Sequence, residues 1–190
     1  ATVPYQGTQL EIFYHHWFTS DRAILELLDE IGLGEKLHRY HSKMGFFTQG
    51  KIWNFDTPKA LLQFKPLSLY SRLRFGAGTL WLRDFVKDWK KFEGQTAIDA
   101  LPKYVGKEAT KVIWEPLLKG KFGPWYREVS MVWLWGKIML RGSSRTKGTN
   151  KEELLYPQGS FHAVTQCLAE KIRSMGGRIL TGVGVKKVSS

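Results

Sequence analysis

Apolar residues recur at helical spacing after Asp21, and they predict the first helix of the chain. The recurring positions are Ile24, Leu27, Leu28 and Ile31. Residues three and four apart share one face of an α-helix, so these positions predict an amphipathic helix. Thr19 or Ser20 is expected to cap its first turn, and the two glycines that follow position 31 are expected to end it. Before this helix, the aromatic-rich residues 5–18 favour an extended segment.

A hairpin and a second helix are predicted next. Residues 44–48 and 51–55 are aromatic-rich runs that flank Gln49-Gly50. A two-residue connection with glycine in second place is typical of a tight β-hairpin. Thr57-Pro58 then predicts a helix start, because threonine accepts from the free N–H groups and proline suits the first turn.

Further helices and one strand are predicted along the rest of the chain. Helical patterns cover residues 67–75, 82–89, 96–101, 107–118, 130–141 and 160–175, a polar loop covers 142–150, and a strand pattern covers 178–188. Gly76 and Gly78 are expected to end the first of these helices. Pro102 is expected to limit the helix at 96–101, and Pro116 the helix at 107–118. Because no internal repeat or long linker divides the chain, the sequence predicts one domain over residues 1–190. Its expected class is α+β, rich in helix and with a small β-sheet.

The composition indicates a folded chain with a basic surface. Aromatic residues make up 14% of the 190 residues, which is enough bulky apolar surface to build a core. The chain has 29 Lys and Arg residues against 17 Asp and Glu residues, a formal charge of +12. This excess predicts attraction to an anionic partner, and nucleic acid, a membrane surface or an acidic small molecule would each satisfy it. Cys167 is the single cysteine, so an intramolecular disulfide is excluded.

The usual motifs of phosphate, metal and hydrolase sites are incomplete. Residues 45–52, G-F-F-T-Q-G-K-I, come within one residue of a phosphate-binding loop, but Ile52 stands where a hydroxyl is needed, and we interpret the run as the hairpin. The histidines lack a carboxylate at a matching helical offset, so no metal site is predicted. No G-x-S-x-G or G-x-G-x-x-G run occurs. The residues therefore assign no catalytic side chain and no dinucleotide-binding turn within the chain.

A basic binding module for nucleic acid or an anionic membrane surface is the alternative hypothesis. Basic and aromatic residues alternate in one stretch, at Arg72, Arg74, Trp81, Arg83, Lys87 and Trp89. Phosphate attraction combined with base stacking would use such a pattern. We expect these tryptophans on the buried stripe of a helix, which favours a basic face that is only solvated, and we predict no specific nucleic-acid partner.

Several segments, taken in order, resemble the middle of FAD-dependent oxidoreductases of the amine oxidase, protoporphyrinogen oxidase and phytoene desaturase superfamily. They are E-I-F-Y-H-H-W-F-T-S-D at 11–21, the hairpin with Thr57-Pro58, P-L-S at 66–68 with Arg72, W-E-P-L-L at 114–118 followed by K-F-G, and the unit at 156–188. The resemblance covers nearly the whole chain. It implies the substrate-binding part of a larger flavoenzyme, whose flavin-binding Rossmann domain would be a missing partner. The isolated chain is then expected to be inactive and without FAD.

The resemblance also implies roles for individual residues. The strand G-V-G-V at 182–185 matches the place where a valine main chain contacts the adenine of FAD, which makes Val185 the first cofactor candidate. His16 matches a histidine near the flavin ring. Gly159 is the third cofactor candidate, although the relatives usually carry a double glycine there and this chain has Gly159-Ser160. Substrate contacts are expected from Phe47, Trp53, Arg72 and Phe122.

By the same resemblance, the flavin would take a hydride from an amine, porphyrinogen or isoprenoid substrate, and the residues do not separate these three classes. Arginines of the 72–83 stretch would suit an anionic substrate or a membrane surface that delivers an apolar one. A homo-oligomer is expected through the surface that the missing domain would cover. We expect a cytoplasmic location, with or without peripheral contact to a membrane.

Overall fold

A computed structural model describes residues 2–13, 15–143 and 152–188. The strands are β1 (Thr2–Tyr5), β2 (Thr8–Glu11), β3 (Trp17–Phe18), β4 (Leu37–His41), β5 (Gly45–Thr48), β6 (Lys51–Asn54) and β7 (Glu153–Pro157). The α-helices are α1 (Arg22–Glu30), α2 (Pro58–Leu62), α3 (Leu69–Asp84), α4 (Ala97–Val105), α5 (Lys107–Ala109), α6 (Glu115–Phe122), α7 (Met131–Ser143) and α8 (Ser160–Ser174). This content confirms the helix-rich α+β class.

The chain divides into two compact units. The first comprises Ala1–Trp17, Asp21–Tyr40 and Leu155–Ser190, and the second comprises Phe18–Ser20 and His41–Leu154. The single domain over residues 1–190 stays a prediction.

The first unit combines an N-terminal hairpin with helices α1 and α8. Strands β1 and β2 pair antiparallel, with Thr2 opposite Glu11. Leu28, Leu33 and Val164 form its small buried core. Helix α1 confirms the predicted apolar face, and Gly32 follows it with a φ of +77°. The predicted cap is wrong: Asp21 occupies the N-cap position, and its side chain makes no capping hydrogen bond.

The second unit is helical around a large aromatic core, with the β5–β6 hairpin on one side. The hairpin is confirmed, since Gln49 and Gly50 both have positive φ and connect paired strands. The cap at Thr57 is also confirmed, because its hydroxyl accepts from the Ala60 N–H at 3.2 Å. The largest fully buried side chains include Phe64, Phe92, Leu82, Leu101 and Met131.

Helix α3 corrects the predicted boundaries in the second unit. It runs through Gly76 and Gly78, which were expected to end it, and it absorbs the start of the helix predicted at 82–89. Gly78 lies against α4 so closely that an added Cβ would be 2.2 Å from the Tyr104 carbonyl oxygen. This glycine therefore permits close helix packing rather than a turn.

Prolines also end fewer helices than the pattern predicted. Pro102 lies inside α4, whose residues Leu101 and Val105 are fully buried, so packing holds the helix across the proline. Pro116 is the second residue of α6, where proline is tolerated. The helical run at 107–118 is confirmed, with a π-helical segment at Thr110–Trp114 between α5 and α6.

The predicted strand at 178–188 is wrong, because no strand is present there. Val183, Val185 and Val188 are strongly exposed. A strand requires a neighbour for its N–H and C=O groups, and no described strand pairs with this segment. Of the predicted polar loop at 142–150, residues 144–150 lie outside the described part of the chain, while Gly142 and Ser143 belong to α7.

Candidate functional site

Glu11, a half-buried carboxylate of the first unit, caps the start of helix α8. Glu11, the last residue of β2, accepts a hydrogen bond of 2.6 Å from the backbone N–H of Phe161 and one of 2.8 Å from the Tyr156 hydroxyl. Gly159 and Ser160, which precede this N–H, have φ values of +80° and +66°. A carboxylate at a helix N-terminus also interacts favourably with the helix dipole.

These contacts shift the acidity of both side chains. Burial raises the pKa of Glu11, but the N–H of Phe161, its own backbone N–H, the Tyr156 hydroxyl and nearby His15 outweigh this and hold that pKa below its ordinary 4.5. Burial and the hydrogen bond to Glu11 raise the pKa of Tyr156 to about 12. At neutral pH the pair is therefore an ionised carboxylate beside a neutral phenol.

Aromatic rings surround the same helix start. The Phe161 ring lies 4.3 Å from the Trp17 ring, 5.4 Å from the His15 ring and 5.8 Å from the Tyr156 ring, centroid to centroid. His15 is further fixed by its Nδ1, which lies 2.6 Å from the Phe13 carbonyl oxygen. The H-H-W segment is thus packed on the first turn of α8.

The three predicted cofactor residues all belong to the first unit. Gly159 is the N-cap residue of α8 and is exposed. His16 is half-buried and directly precedes β3, a neighbour of β7 in the sheet of order β3-β7-β4. Val185 is 80% exposed in the irregular segment after α8. The structure therefore brings the segments of His16 and Gly159 to the same region, and no described contact joins Val185 to them.

In the second unit, Trp53 lines a concave region between β6 and α2. The cavity measures about 290 Å³, and its lining residues are Lys51, Ile52, Trp53, Asn54, Ala60 and Gln63. The Lys51 ammonium lies 3.9 Å from the centre of a Trp53 ring. The Trp53 indole nitrogen is buried and has no hydrogen-bond partner among the described residues. This cavity thus offers an aromatic wall and a cation.

Phe122 lines a second, shallower groove in the same unit. Its volume is about 280 Å³, and its lining residues are Phe122, Trp125, Glu128, Val129, Ser130 and Trp133. The Phe122 and Trp133 rings meet edge to face, with 4.9 Å between their centroids. The groove is therefore mostly aromatic, with one carboxylate at its edge.

The other two predicted substrate residues line neither cavity. Phe47 is 71% exposed on the hairpin, opposite Ile52. The Arg72 guanidinium donates to the Leu62 carbonyl oxygen. Phe47 and Trp53 therefore share the β5–β6 hairpin, whereas Phe122 lines a different groove. The roles of all four residues stay predictions.

Glu11 and Tyr156 are the residues that sequence reasoning did not single out. Capping signals are read within three or four residues, whereas Glu11 lies 150 positions before the N–H that it accepts from. A possible signal was the pairing of an acidic residue before the histidines with a tyrosine just before Pro157 and Gly159. Their contact depends on the tertiary fold of the unit.

Neither a metal-binding cluster nor a helix suited to cross a membrane occurs among the described residues. In residues 2–13, 15–143 and 152–188, no three His, Cys, Asp or Glu side chains come together as a metal ion would need. Of the helices in this same part of the chain, none combines the length and the apolar character needed to cross a membrane.

Comparison with known proteins yields a structural similarity. No family model and no curated protein matches the chain. Its fold is similar to that of a protein from Exiguobacterium sp. 255-15, provisionally assigned as a protoporphyrinogen oxidase, with a TM-score of 0.51 and 17% identity. The match covers 90% of this chain and 41% of the other, so the chain spans about two fifths of that protein's length. The similarity shows that this chain shares its fold with a segment of that larger protein.

Proposed function

We propose that the chain is the substrate-binding part of an FAD-dependent oxidoreductase of the amine oxidase, protoporphyrinogen oxidase and phytoene desaturase superfamily. The observation that carries the proposal is the shared fold over 90% of the chain with a protein provisionally assigned as a protoporphyrinogen oxidase. The ordered motifs between Glu11 and Val185 point independently to the same superfamily.

The first unit fits the adenine and flavin rings of FAD better than it fits the pyrophosphate. Glu11 already accepts the Phe161 N–H at the start of α8, and its pKa is lowered, so this helix end holds a negative charge. A pyrophosphate placed there would meet that carboxylate and be repelled. Phosphate binding at α8 is therefore excluded from the proposal.

The base and ring portions of FAD fit the remaining residues. The segment around Val185 belongs to no described strand ladder, so its backbone is available to a flat base edge that needs one donor and one acceptor. His16 would face the flavin ring, since it lies in the aromatic segment that ends at β3. Gly159, which lacks a side chain and is exposed, would allow close approach of the cofactor.

A substrate would be held by the second unit. Ligand sites combine apolar walls with polar anchors. The Trp53 cavity has an aromatic wall and three polar side chains, Lys51, Asn54 and Gln63. The Phe122 groove is a second candidate surface. The chemistry supplied by bound FAD is acceptance of a hydride from a C–H or C–N–H group, and this chain would bind and orient the substrate.

A flavin titration followed by fluorescence tests the proposal. It would be run on the 190-residue chain and on the full reading frame from which the chain comes. We expect tight FAD binding by the full protein and weak or no binding by the chain alone. Absence of flavin binding by both would overturn the proposal.

Proline substitution would test the role of the Val185 main chain. Val185→Pro removes a backbone N–H, whereas Val185→Ala keeps it. We expect the first to lower FAD affinity of the full protein at least tenfold and the second to leave it nearly unchanged. Lys186→Pro is the matched control, because neighbouring N–H groups of an extended chain point to opposite sides. Equal losses for all three variants would contradict a main-chain contact.

A basic module for nucleic acid is the second candidate. The observation in its favour is that Trp81 and Trp89 are 43% and 45% exposed, whereas the sequence predicted them on a buried stripe. Exposed rings beside basic residues can stack on bases. Affinity for single-stranded DNA that falls steeply with salt, in a full protein that binds no flavin, would favour this candidate.

A further inference from the structure

Strand β6 has one edge that no described strand covers. It pairs with β5 in a sheet of two strands, so in the described part of the chain its other edge belongs to no ladder. A cavity of about 290 Å³ lies along this strand, and all four strand residues, Lys51–Asn54, line it together with Ala60 and Gln63 of α2. Because successive side chains of a strand point to opposite faces, a cavity lined by four residues in a row follows the edge of the strand.

The register of the hairpin shows which backbone groups reach this free edge. The Phe55 N–H donates to the Met44 carbonyl oxygen at 2.9 Å, so these two residues form a hydrogen-bonded pair. Hydrogen-bonded and non-bonded pairs alternate along an antiparallel ladder, so Ile52 and Asn54 belong to non-bonded pairs. Their N–H and C=O groups therefore point away from β5, and no hydrogen bond joins them to any described residue. Two donors and two acceptors are left for another strand.

The spacing of these backbone groups is complementary to an extended peptide. Ile52 and Asn54 are two residues apart, about 7 Å along a strand, which is the repeat at which neighbouring strands exchange their N–H···O=C bonds. An uncovered strand edge pairs readily with another chain. Peptides that bind by strand addition take their affinity from such main-chain bonds and their specificity from alternate side chains.

The side chains of β6 indicate which peptide sequence would fit. Lys51 and Trp53 share one face of the strand, and the Lys51 ammonium lies 3.9 Å from the Trp53 ring centre. An acidic peptide side chain on this face would meet an exposed cation on a chain of net charge +12. On the opposite face Ile52 is 72% exposed, and a β-branched peptide side chain would pack beside it. The expected peptide therefore alternates acidic and β-branched residues.

We propose that the free edge of β6 binds an extended acidic peptide of a partner protein, which adds to the hairpin as a third strand. A second copy of the chain would fit less well, because it would bring its own α2 to this edge and two helices would compete for the space of one strand. The same cavity is a candidate substrate site of the proposed function, so a bound peptide would exclude a substrate from it.

Fluorescence anisotropy of a labelled hexapeptide, Val-Glu-Val-Glu-Val-Glu, measures binding to the 190-residue chain. Two further forms of the peptide carry N-methyl groups, one on the valines and one on the glutamates, which removes the backbone donors of one edge and keeps every charge. Because only one edge of a bound strand faces β6, we expect one form to bind at least about tenfold more weakly than the other. Equal affinities would mean attraction by charge alone, which would overturn the proposal, as would no binding of the unmodified peptide.

Amide hydrogen exchange locates the peptide on the chain. The N–H groups of Ile52 and Asn54 should exchange at least about tenfold more slowly with the hexapeptide bound, because they then donate to it. The N–H groups of Gly45 and Phe47, the residues opposite them in β5, point to the other edge of the hairpin and should not change. Protection of β5 without protection of β6 would contradict the proposal.

Two proline substitutions test the same edge by mutation. Ile52→Pro removes an N–H of the free β6 edge, whereas Phe47→Pro removes the corresponding N–H on the far side of β5. The two side chains are 72% and 71% exposed, and neither N–H belongs to the hairpin ladder, so the pair is matched. We expect the first to weaken hexapeptide binding at least about tenfold and the second to leave it nearly unchanged. Circular dichroism verifies folding, and if Ile52→Pro unfolds the hairpin, hydrogen exchange of the unchanged chain decides.

Charge reversal at Lys51 tests the acidic character of the peptide. Lys51→Glu should weaken binding of the Val-Glu hexapeptide at least about threefold and should strengthen binding of a Val-Lys hexapeptide. The control for the change in net charge is Lys186→Glu, at an exposed position of the first unit. Equal losses in both variants would show that overall charge, and not the β6 edge, attracts the peptide.

Two other results would assign the free edge to a different occupant. Self-association that Ile52→Pro abolishes, in a chain that does not bind the hexapeptide, would assign it to a second copy. Slow exchange of the Ile52 and Asn54 N–H groups in the full reading frame, before any peptide is added, would assign it to a strand of the longer protein. None of these measurements uses flavin or a substrate, so the proposed function can fail while this inference stands, and the reverse.

Discussion

Glu11 and Phe161 are joined by a hydrogen bond of 2.6 Å across 150 residues of sequence. The carboxylate at the end of β2 accepts the first-turn N–H of α8, and it does so next to two residues of positive φ, Gly159 and Ser160. The N-terminal hairpin therefore completes the C-terminal helix of the first unit. The stability of α8 should depend on the ionised form of one side chain.

Replacing Glu11 with glutamine tests this dependence. The substitution keeps the shape of the side chain and removes its charge, so we expect the free energy of unfolding to fall by about 1–2 kcal/mol. Urea denaturation at neutral pH would measure it. Glu26→Gln, at an exposed position of α1, is the control and should change stability by less than about 0.5 kcal/mol. Equal effects of the two variants would contradict the cap.

Acid should erase the difference between the unchanged chain and Glu11→Gln. The folded-state pKa of Glu11 lies below the ordinary 4.5. The stabilisation is thus fully present above pH 4.5 and is lost as pH falls through the folded-state pKa. Urea midpoints of both proteins, followed from neutral pH into acid, should converge. A constant difference at all pH values would show that the charge of Glu11 does not act.

Tyr156 should respond at the opposite end of the pH scale. Its pKa is raised from 10.0 to about 12, so its contribution is complete below pH 10 and is lost as pH rises through 12. Tyr156→Phe should lower stability by about 1 kcal/mol at neutral pH, because the hydrogen bond to Glu11 is lost. Ultraviolet titration of this variant should also show one fewer phenol that ionises at high pH. Tyr5→Phe, at an exposed strand position, should leave that phenol in place.

Local signals of the sequence predicted local structure well. The Gln49-Gly50 turn, the Thr57 cap and the apolar face of α1 each depend on residues within a few positions, and the structure contains all three. Helix ends were predicted less well, because glycine and proline can end a helix but can also lie inside one. At Gly78 and Pro102 the helix continues because packing against other elements outweighs the weak local preference.

The sequence motifs identified some segments of the candidate site, but they did not identify contacts that form only in the folded chain. The motifs placed His16 and Gly159 in segments that the fold brings to one region, whereas the capping role of Glu11 depends on a contact that spacing does not reveal. The strand at 178–188 was predicted from the pattern of that segment alone. A strand also requires a partner strand for its N–H and C=O groups, and the residues of the segment do not show whether one is present.

The close approach at Gly78 gives a matched test of packing against helix propensity. Alanine at Gly78 would place a Cβ 2.2 Å from the Tyr104 carbonyl oxygen, so we expect a loss of about 2 kcal/mol or more. Gly136 in α7 has no atom within 4 Å of an added Cβ, so Gly136→Ala should stabilise the protein by about 0.5–1 kcal/mol. Thermal unfolding of both variants measures whether each substitution lowers or raises the stability of the protein. A gain at both positions would mean that α3 and α4 are not in close contact.

Glu108 holds the start of α3 through the hydroxyls of Ser68 and Ser71. The Glu108 carboxylate accepts from the Ser68 hydroxyl and N–H at 2.6 and 2.9 Å and from the Ser71 hydroxyl at 2.5 Å. These hydrogen bonds lower the pKa of Glu108. Ser71 is a buried polar residue of the second unit, and without Glu108 its hydroxyl would lose this acceptor.

A double-mutant cycle isolates the contribution of this buried hydroxyl. Glu108→Ala should cost about 1–3 kcal/mol, because it leaves a desolvated donor without its partner. Ser71→Ala should cost less, and in the Glu108→Ala background it should be neutral or stabilising, since the orphaned hydroxyl is then removed. Urea denaturation of the four proteins gives the coupling energy. Additive effects would show that the two side chains act independently, and the start of α3 would then depend on the Ser68 cap alone.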